Sequence, residues 1–167
     1  MSWLVRSWPR GELNGGTGHQ VGVRRSEVTV EIARPPAEVF AYLTDVENVP
    51  AWQSSAVEAH LRDGDMRVGA RVAEVRSFVG RRVETELEVT EYEPDRLFSL
   101  RTVSGPVKVE VHHRLEPNGD GGTRLTFVGH GESHGFGGIA QSLLVKAAER
   151  EFKRDFQRLK QILEARG

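Results

Sequence analysis

RVETELEVTE, residues 82–91, alternates glutamates with apolar or threonine side chains. The apolar and threonine positions are Val83, Thr85, Leu87 and Val89; the glutamates between them are Glu84, Glu86 and Glu88. Successive side chains of a β-strand point to opposite faces, so this stretch predicts a strand with one covered face and one wet face. The glutamates are therefore expected on a solvated surface and not as paired carboxylates for acid/base chemistry.

Strand patterns also surround this stretch, with turn residues between them. Besides 82–91, the predicted strands are 27–32, 57–62, 71–79, 97–103, 107–115 and 123–130. Gly80-Arg81, Pro94-Asp95, Gly105-Pro106 and Gly119–Gly122 supply residues that favour tight turns. Six consecutive short strands after the first favour an antiparallel meander.

Helical spacing appears in two places. Between the first two strands, Pro36–Thr44 and Val46–Trp52 predict two short helices, with Asp45 as an N-cap of the second. The segment Gly138–Ala165 predicts a C-terminal helix about 40 Å long. Its apolar stripe is Val145, Ala148, Phe152, Phe156, Leu159 and Leu163. The predicted fold is α+β in the order β-α-α-β6-α, with a curved antiparallel sheet around the long helix and an internal cavity between them.

Composition narrows the functional classes. The chain has 167 residues, a length that suits one domain, and a formal net charge of -1. Because no global positive field exists, nucleic acid is a poor partner. Cysteine is absent, which excludes disulfides and thiolate metal sites. No stretch reaches the ~20 apolar residues of a membrane span and no signal-peptide pattern opens the chain, so we expect a cytoplasmic protein without stable membrane insertion.

The first residues differ from the rest of the chain. Residues 1–25 hold five glycines and no persistent period, which predicts a flexible N-terminal tail before a domain over 26–167. Trp3 and Trp8 belong to a small apolar cluster in that tail. The cluster is either part of a disordered leader or a segment that docks on the domain or on a partner.

Four motifs, in order, resemble the polyketide cyclase/dehydrase branch of the START-like superfamily (SRPBCC). They are residues 30–40 (VEIARPPAEVF), 45–52 (DVENVPAW), 89–97 (VTEYEPDRL) and 122–126 (GTRLT). The resemblance covers about residues 27–163. It implies the helix-grip fold, with a deep cavity that holds lipids, polyketides, sterols or similar molecules. The family includes carriers, cyclases and chaperone-like members, so the resemblance does not select an activity.

The cavity is expected between the inward strand faces and the C-terminal helix. Its predicted lining is Trp52, Thr85, Leu87, Val89, Phe98, Leu100, Thr102, Val109, Val111, His113, Phe127 and Phe136. No cofactor and no metal are expected. The predicted partner is an apolar small molecule, bound mainly by burial of apolar surface.

Histidines are the main candidates for chemistry. His112 and His113 are neighbours on one strand and must point to opposite faces, so they cannot bind one ion together. His113 shares the apolar face and is either a hydrogen-bonded core residue or an acid/base that acts on a ligand. His130, Glu132 and His134 could converge on a metal, but their spacing is no zinc signature.

The loop before the long helix carries a second motif. Residues 131–135 (GESHG) match the G-x-S-x-G pattern of a nucleophile elbow. That elbow requires a parallel α/β sheet, so a glycine-rich loop is the simpler interpretation. The continuation through Gly138 lies where a cavity mouth is expected, and Phe136 is either a plug that gates entry or part of a plain linker.

Three functions follow from these expectations. The first is a binding protein for a lipid, polyketide or isoprenoid. The second is a cyclase/dehydratase-type enzyme that uses the same cavity, with His113 as the candidate catalytic residue. The third is a protein-interaction or cargo-delivery module that depends on the mouth loop, residues 129–138.

Overall fold

The computed structural model describes residues 22–78, 80–133 and 139–167, and side chains within 25–78, 80–132 and 146–167. Strand β1 spans Gly22–Ile32 and is followed by helix α1 (Pro36–Thr44), a 3-10 turn (Val46–Asn48) and helix α2 (Val49–Trp52). The remaining strands are β2 (Ala56–Leu61), β3 (Arg71–Phe78), β4 (Arg81–Glu93), β5 (Leu97–Ser104), β6 (Lys108–Pro117) and β7 (Thr123–Ser133). Helix α3 (Ile139–Ala165) ends the fold. The predicted α+β class and element order are confirmed.

The strands form one antiparallel sheet. Their order is β1-β7-β6-β5-β4-β3-β2, so β2 to β7 make a meander and β1 joins its far edge beside β7. β1 begins at Gly22, not at the predicted Glu27, because β7 extends to Ser133 and pairs with it over its full length. The strand therefore includes the last four residues of the predicted tail.

The short helices cover one end of the sheet. Pro36 occupies the first helical position of α1, and Val39, Phe40 and Leu43 are buried. The predicted capping by Asp45 is wrong, because its side chain makes no capping hydrogen bond. The predicted single helix over Val46–Trp52 is divided into a 3-10 turn and α2, where Pro50 lies at the helix start because it has no N–H to donate.

Helix α3 is fastened to the end of β1. The Lys160 ammonium donates to the Glu31 carbonyl at 2.6 Å, and the Ala33 N–H donates to the Glu164 carboxylate at 2.8 Å. Phe156, Leu159 and Leu163 of α3 are buried against the sheet. These contacts fix the C-terminal half of α3 over one half of the concave face.

Register assigns the concave face residue by residue. Opposite residues of an antiparallel pair share a face, so each row across the sheet can be followed from strand to strand. A bulge between Val89 and Glu91 adds Thr90 to β4, and Tyr92 then resumes the inward direction opposite Phe98. Glu86 and Glu88 lie on the convex face, where they pair with Arg62, Arg71 and Arg101.

Candidate functional site

One row of the concave face is closed by aromatic rings. Val28, Phe127, His113, Phe98 and Tyr92 are successive partners across β1, β7, β6, β5 and β4. The His113 ring lies 5.9 Å from Phe98 and 5.4 Å from Phe127 between centroids, and 6.2 Å from Phe156 of α3. This row and the next one toward Leu115 and Leu125 form the solid core.

The adjoining rows in the other direction are less covered. Val111 faces Gly129, and Val109 faces Gly131, across β6 and β7. The half-buried patch consists of Thr102, Val109, Val111, Gly129 and Gly131, all on the concave face and all partly accessible. It is continuous across β5, β6 and β7, and its neighbours Leu87, Val89 and Leu100 on β4 and β5 are buried.

Two glycines keep this patch flat. A methyl group at Gly129 would approach the Phe127 ring at 3.0 Å, which is closer than side chains normally pack. At Gly131 the nearest neighbour of such a methyl would be the Val109 side chain at 3.9 Å, an ordinary contact. Among the described residues, therefore, nothing blocks a larger side chain at Gly131.

The two predicted threonines border the patch. The Thr102 hydroxyl accepts a hydrogen bond from the Val109 N–H at 3.1 Å and replaces a ladder bond beyond the last β5–β6 pair. Thr85 lies beside the β5–β6 turn, where a methyl at Gly105 would meet its hydroxyl oxygen at 3.1 Å. Gly105 also has a φ of 134°, which side chains rarely adopt, so a glycine is required there.

A charged wall completes the concave face on β3. Glu74 faces Thr85, and Arg76 faces Val83, so both side chains are on the inner side. The Arg76 guanidinium donates to Glu74 at 2.8 Å, to the Ser55 hydroxyl at 3.0 Å and to the Gln53 amide oxygen at 2.6 Å. The charged groups of this wall therefore have hydrogen-bond partners, which offset the cost of removing a charge from water.

Helix α3 adds a carboxylate to this wall. Asp155 is buried and accepts the Ser54 N–H at 3.1 Å. Burial raises the pKa of its carboxyl, against the Ser54 hydrogen bonds and the positive charge of Arg76, which lower it. Two residues before Ser54, the Trp52 ring packs on the Phe156 ring, with 5.2 Å between their centroids. The buried Trp52 Nε1–H has no acceptor within the described residues.

His113 is bound within the core. Its Nδ1–H donates to the Phe98 carbonyl at 3.0 Å, which makes Nε2 the unprotonated nitrogen of the neutral ring. Burial among apolar rings lowers its pKa to about 4, against the opposing effect of the Phe98 carbonyl. At neutral pH the residue therefore holds no additional proton for general acid catalysis, and it is a weak base.

A serine, a histidine and a glutamate also meet on the convex face. The Ser99 hydroxyl donates to the Glu91 carboxylate at 2.6 Å and lies 2.9 Å from His112 Nδ1. In a hydrolase triad the serine and the acid contact opposite ring nitrogens, whereas here both approach Nδ1. Ser99 is also fully buried, so it is not exposed as a nucleophile. The three side chains instead link the neighbouring strands β4, β5 and β6.

The remaining predicted features lie away from the patch or outside the described residues. His130 and Glu132 lie on the convex side of β7, away from the patch. His134, Phe136 and the loop residues 134–138 lie outside the described residues, as does the Trp3–Trp8 cluster. In the part of the chain with described side chains, no set of three potential ligands is arranged for a metal ion. No described helix is long and apolar enough to cross a membrane.

The predicted cavity residues fall into two groups. Trp52, Leu87, Val89, Phe98, Leu100, His113 and Phe127 are buried core residues, whereas Thr85, Thr102, Val109 and Val111 are partly accessible. Sequence reasoning missed Glu74, Arg76 and Asp155. One signal existed: Asp155 has helical spacing from Phe152 and Leu159 and interrupts the apolar stripe.

Comparison with known proteins gives a consistent result. Residues 23–164 match the family model described as polyketide cyclase / dehydrase and lipid transport. No curated protein matches the chain.

Solved structures share the architecture. The protein TTHA0849 from Thermus thermophilus is 18% identical with a TM-score of 0.73, over 85% of this chain and 98% of that one. The Zhui aromatase/cyclase from Streptomyces sp. R1128 is also 18% identical, with a TM-score of 0.72 over 87% and 96%. Ara h 8.0201 is 15% identical, with a TM-score of 0.65 over 85% and 98%. These similarities confirm the helix-grip fold.

Proposed function

Because this chain belongs to the polyketide cyclase / dehydrase and lipid transport family, we propose that it binds an apolar small molecule on the concave face of its sheet. The observation that carries the proposal is the half-buried patch. Its valines and flat glycines offer apolar surface directly beside the closed aromatic row. A ligand that covered this surface would gain about 25 cal/mol per Å² of apolar area removed from water.

The charged wall supports a ligand with one polar end. Glu74, Arg76 and Asp155 lie on the inner side of β3 and on α3, and the Trp52 N–H has no acceptor within the described residues. Pockets for small molecules combine mostly apolar lining with a few placed polar groups. We therefore expect a lipid, polyketide or isoprenoid that carries at least one carbonyl or hydroxyl group.

The direct test is native mass spectrometry of the protein purified from its own host. We expect a co-purifying apolar molecule at one per chain, and its loss in Gly131→Leu, since the leucine side chain would fill the space above the patch. Val128→Leu, on the convex face of the same strand, is the matched control and should retain the ligand. An empty wild-type protein whose melting temperature responds to no fatty acid, isoprenoid or aromatic polyketide would contradict the proposal.

A cyclase/dehydratase-type enzyme is the second candidate. The observation in its favour is the inward ion pair of Glu74 and Arg76, since a guanidinium can polarise a ligand carbonyl. A poly-β-ketone thioester incubated with the protein should then yield a cyclised product. The paired change Glu74→Gln/Arg76→Gln, which removes both charges of the ion pair, should abolish that product. If the thioester is unchanged after incubation with wild-type protein, the enzyme hypothesis is contradicted and ligand binding is the only function that is supported.

A further inference from the structure

The exposed face of α3 is strongly basic. Between residues 146 and 161 its exposed side chains include five cations, which repeat at three- and four-residue intervals. They are Lys146, Arg150, Lys153, Arg154 and Arg158. At 1.5 Å per residue these cations extend over about 18 Å along one side of the helix. We call this set the basic stripe.

Among the described side chains of residues 146–161, no exposed acid accompanies the basic stripe. The acids of the same segment, Glu149, Glu151 and Asp155, are half-buried or buried. Within the described residues none of the five cations forms an ion pair, whereas most exposed arginines of the strands and their connections do. Because the whole chain has a net charge of -1, this concentration marks a locally positive surface on a near-neutral protein.

The chemistry of the stripe selects its partner. The other exposed residues between 146 and 161 are Ala147, Gln157 and Gln161, so this surface offers no aromatic or large aliphatic anchor. Stable protein interfaces are built around such anchors, and single-stranded nucleic acids require stacking rings. A straight row of cations without anchors fits a flat, diffuse anionic surface. Between residues 146 and 163 the apolar side of α3 packs on the sheet through Phe156, Leu159 and Leu163, so this part of the helix can adsorb but cannot insert.

We propose that the basic stripe of α3 adsorbs the protein reversibly to an anionic lipid bilayer. This interaction goes beyond ligand binding and does not require it, although a bilayer is also where an apolar cargo would be collected or released. Each lysine or arginine near such a surface strengthens adsorption about fivefold at moderate ionic strength. The attraction is screened over about 10 Å at 0.1 M salt, so adsorption should weaken steeply as salt increases.

The experiment is vesicle co-sedimentation of the full chain. Vesicles with 30 mol% phosphatidylglycerol in phosphatidylcholine are compared with pure phosphatidylcholine, at low and high salt. Wild-type protein should sediment with the anionic vesicles at low salt only. The triple change Arg150→Gln/Arg154→Gln/Arg158→Gln should weaken adsorption about a hundredfold, since three cations are removed.

A matched variant separates the stripe from net charge. Arg81→Gln/Lys108→Gln/Arg114→Gln removes three exposed cations from the sheet and should adsorb like wild type. Equal losses in both triples would overturn the proposal, because net charge alone would then explain them. Absence of wild-type adsorption at low salt would also overturn it. So would binding to a 20-base-pair DNA duplex or to polyglutamate through the same arginines without vesicle adsorption, which would assign the stripe to a different partner.

Discussion

The state of His113 predicts how the fold responds to acid. Its ring is enclosed by Phe98, Phe127 and Phe156, and its one hydrogen bond within the described residues is to the Phe98 carbonyl. In the unfolded chain the imidazole accepts a proton near pH 6.5, whereas in the fold burial lowers its pKa to about 4. Below pH 6.5 the unfolded state therefore binds more protons, and stability must fall as pH decreases toward 4.

The size of the effect follows from the two pKa values. At about 1.4 kcal/mol per pH unit, a pKa that falls from 6.5 to about 4 corresponds to about 3 kcal/mol. That stability is fully present above pH 6.5 and is lost across the interval down to pH 4. A loss of this size is a large part of the total stability of an ordinary domain.

Urea unfolding at several pH values between 7 and 4 measures this loss. His113→Asn is the informative variant, because its amide can still donate to the Phe98 carbonyl but does not titrate. We expect it to be less stable than wild type at pH 7, since ring packing is lost, and to show a shallower decline with acid. His60→Asn, at an exposed histidine of β2, should decline as wild type does.

Parallel curves for wild type and His113→Asn would refute the reasoning. They would mean that His113 is protonated in the fold near its ordinary pKa, and therefore that it has water or a proton acceptor beside it. The residue would then be available as an acid or base toward a ligand.

Other predictions concern the wall and the patch. Arg76→Leu should destabilise the fold by about 3 kcal/mol in urea unfolding, because Glu74 would be left as a buried unpaired carboxylate, and Glu74→Leu in the same chain should restore most of the loss. No recovery in the double variant would show that the Ser55 and Gln53 contacts matter more. Burial raises the pKa of Asp155, so the contribution of this residue to stability is present at low pH and is lost as pH rises through the folded pKa. Asp155→Asn should remove that decline in the free energy of unfolding. An unchanged dependence of the free energy of unfolding on pH would contradict this prediction. Gly131→Leu should abolish ligand retention without lowering the melting temperature, because among the described residues a Cβ at this position makes only an ordinary contact, with the Val109 side chain, and because it restricts the unfolded backbone. A melting temperature lowered by several degrees would show that the space is already filled.

The order of elements was predictable because its signals are local. Alternation in 82–91 and the glycine turns identify strands without any long-range information, and the stripe of Phe152, Phe156 and Leu159 identifies the covering helix. These patterns depend on which side of each element is buried, and a single core satisfies them all.

The charged wall could not be predicted in the same way. β3 carries Glu74 and Arg76 on its inner face, so its pattern of apolar residues is mixed. Burial of that pair depends on Gln53 and Ser55, which precede Arg76 by 23 and 21 residues and reach it only after the chain has folded. Sequence patterns predict burial of apolar groups but not the distant partners that permit a charge to be buried.

The early start of β1 and the bulge at Thr90 have a similar origin. β1 begins at Gly22 because β7 offers a partner up to Ser133, and nothing in residues 22–26 alone indicates a strand. The extra residue in β4 moves Tyr92 to the inner face opposite Phe98, a shift that strict alternation cannot predict.

The claim that the concave face holds a ligand is tested most directly by backbone amide NMR of the protein titrated with 1-anilinonaphthalene-8-sulfonate as an apolar probe. Saturable shifts concentrated at Thr102, Val109, Gly129 and Gly131, with little change at Leu115 and Leu125 in the solid core, are the expected result. Shifts confined to the outer face of α3, or no saturable shifts in wild-type protein, would contradict the claim.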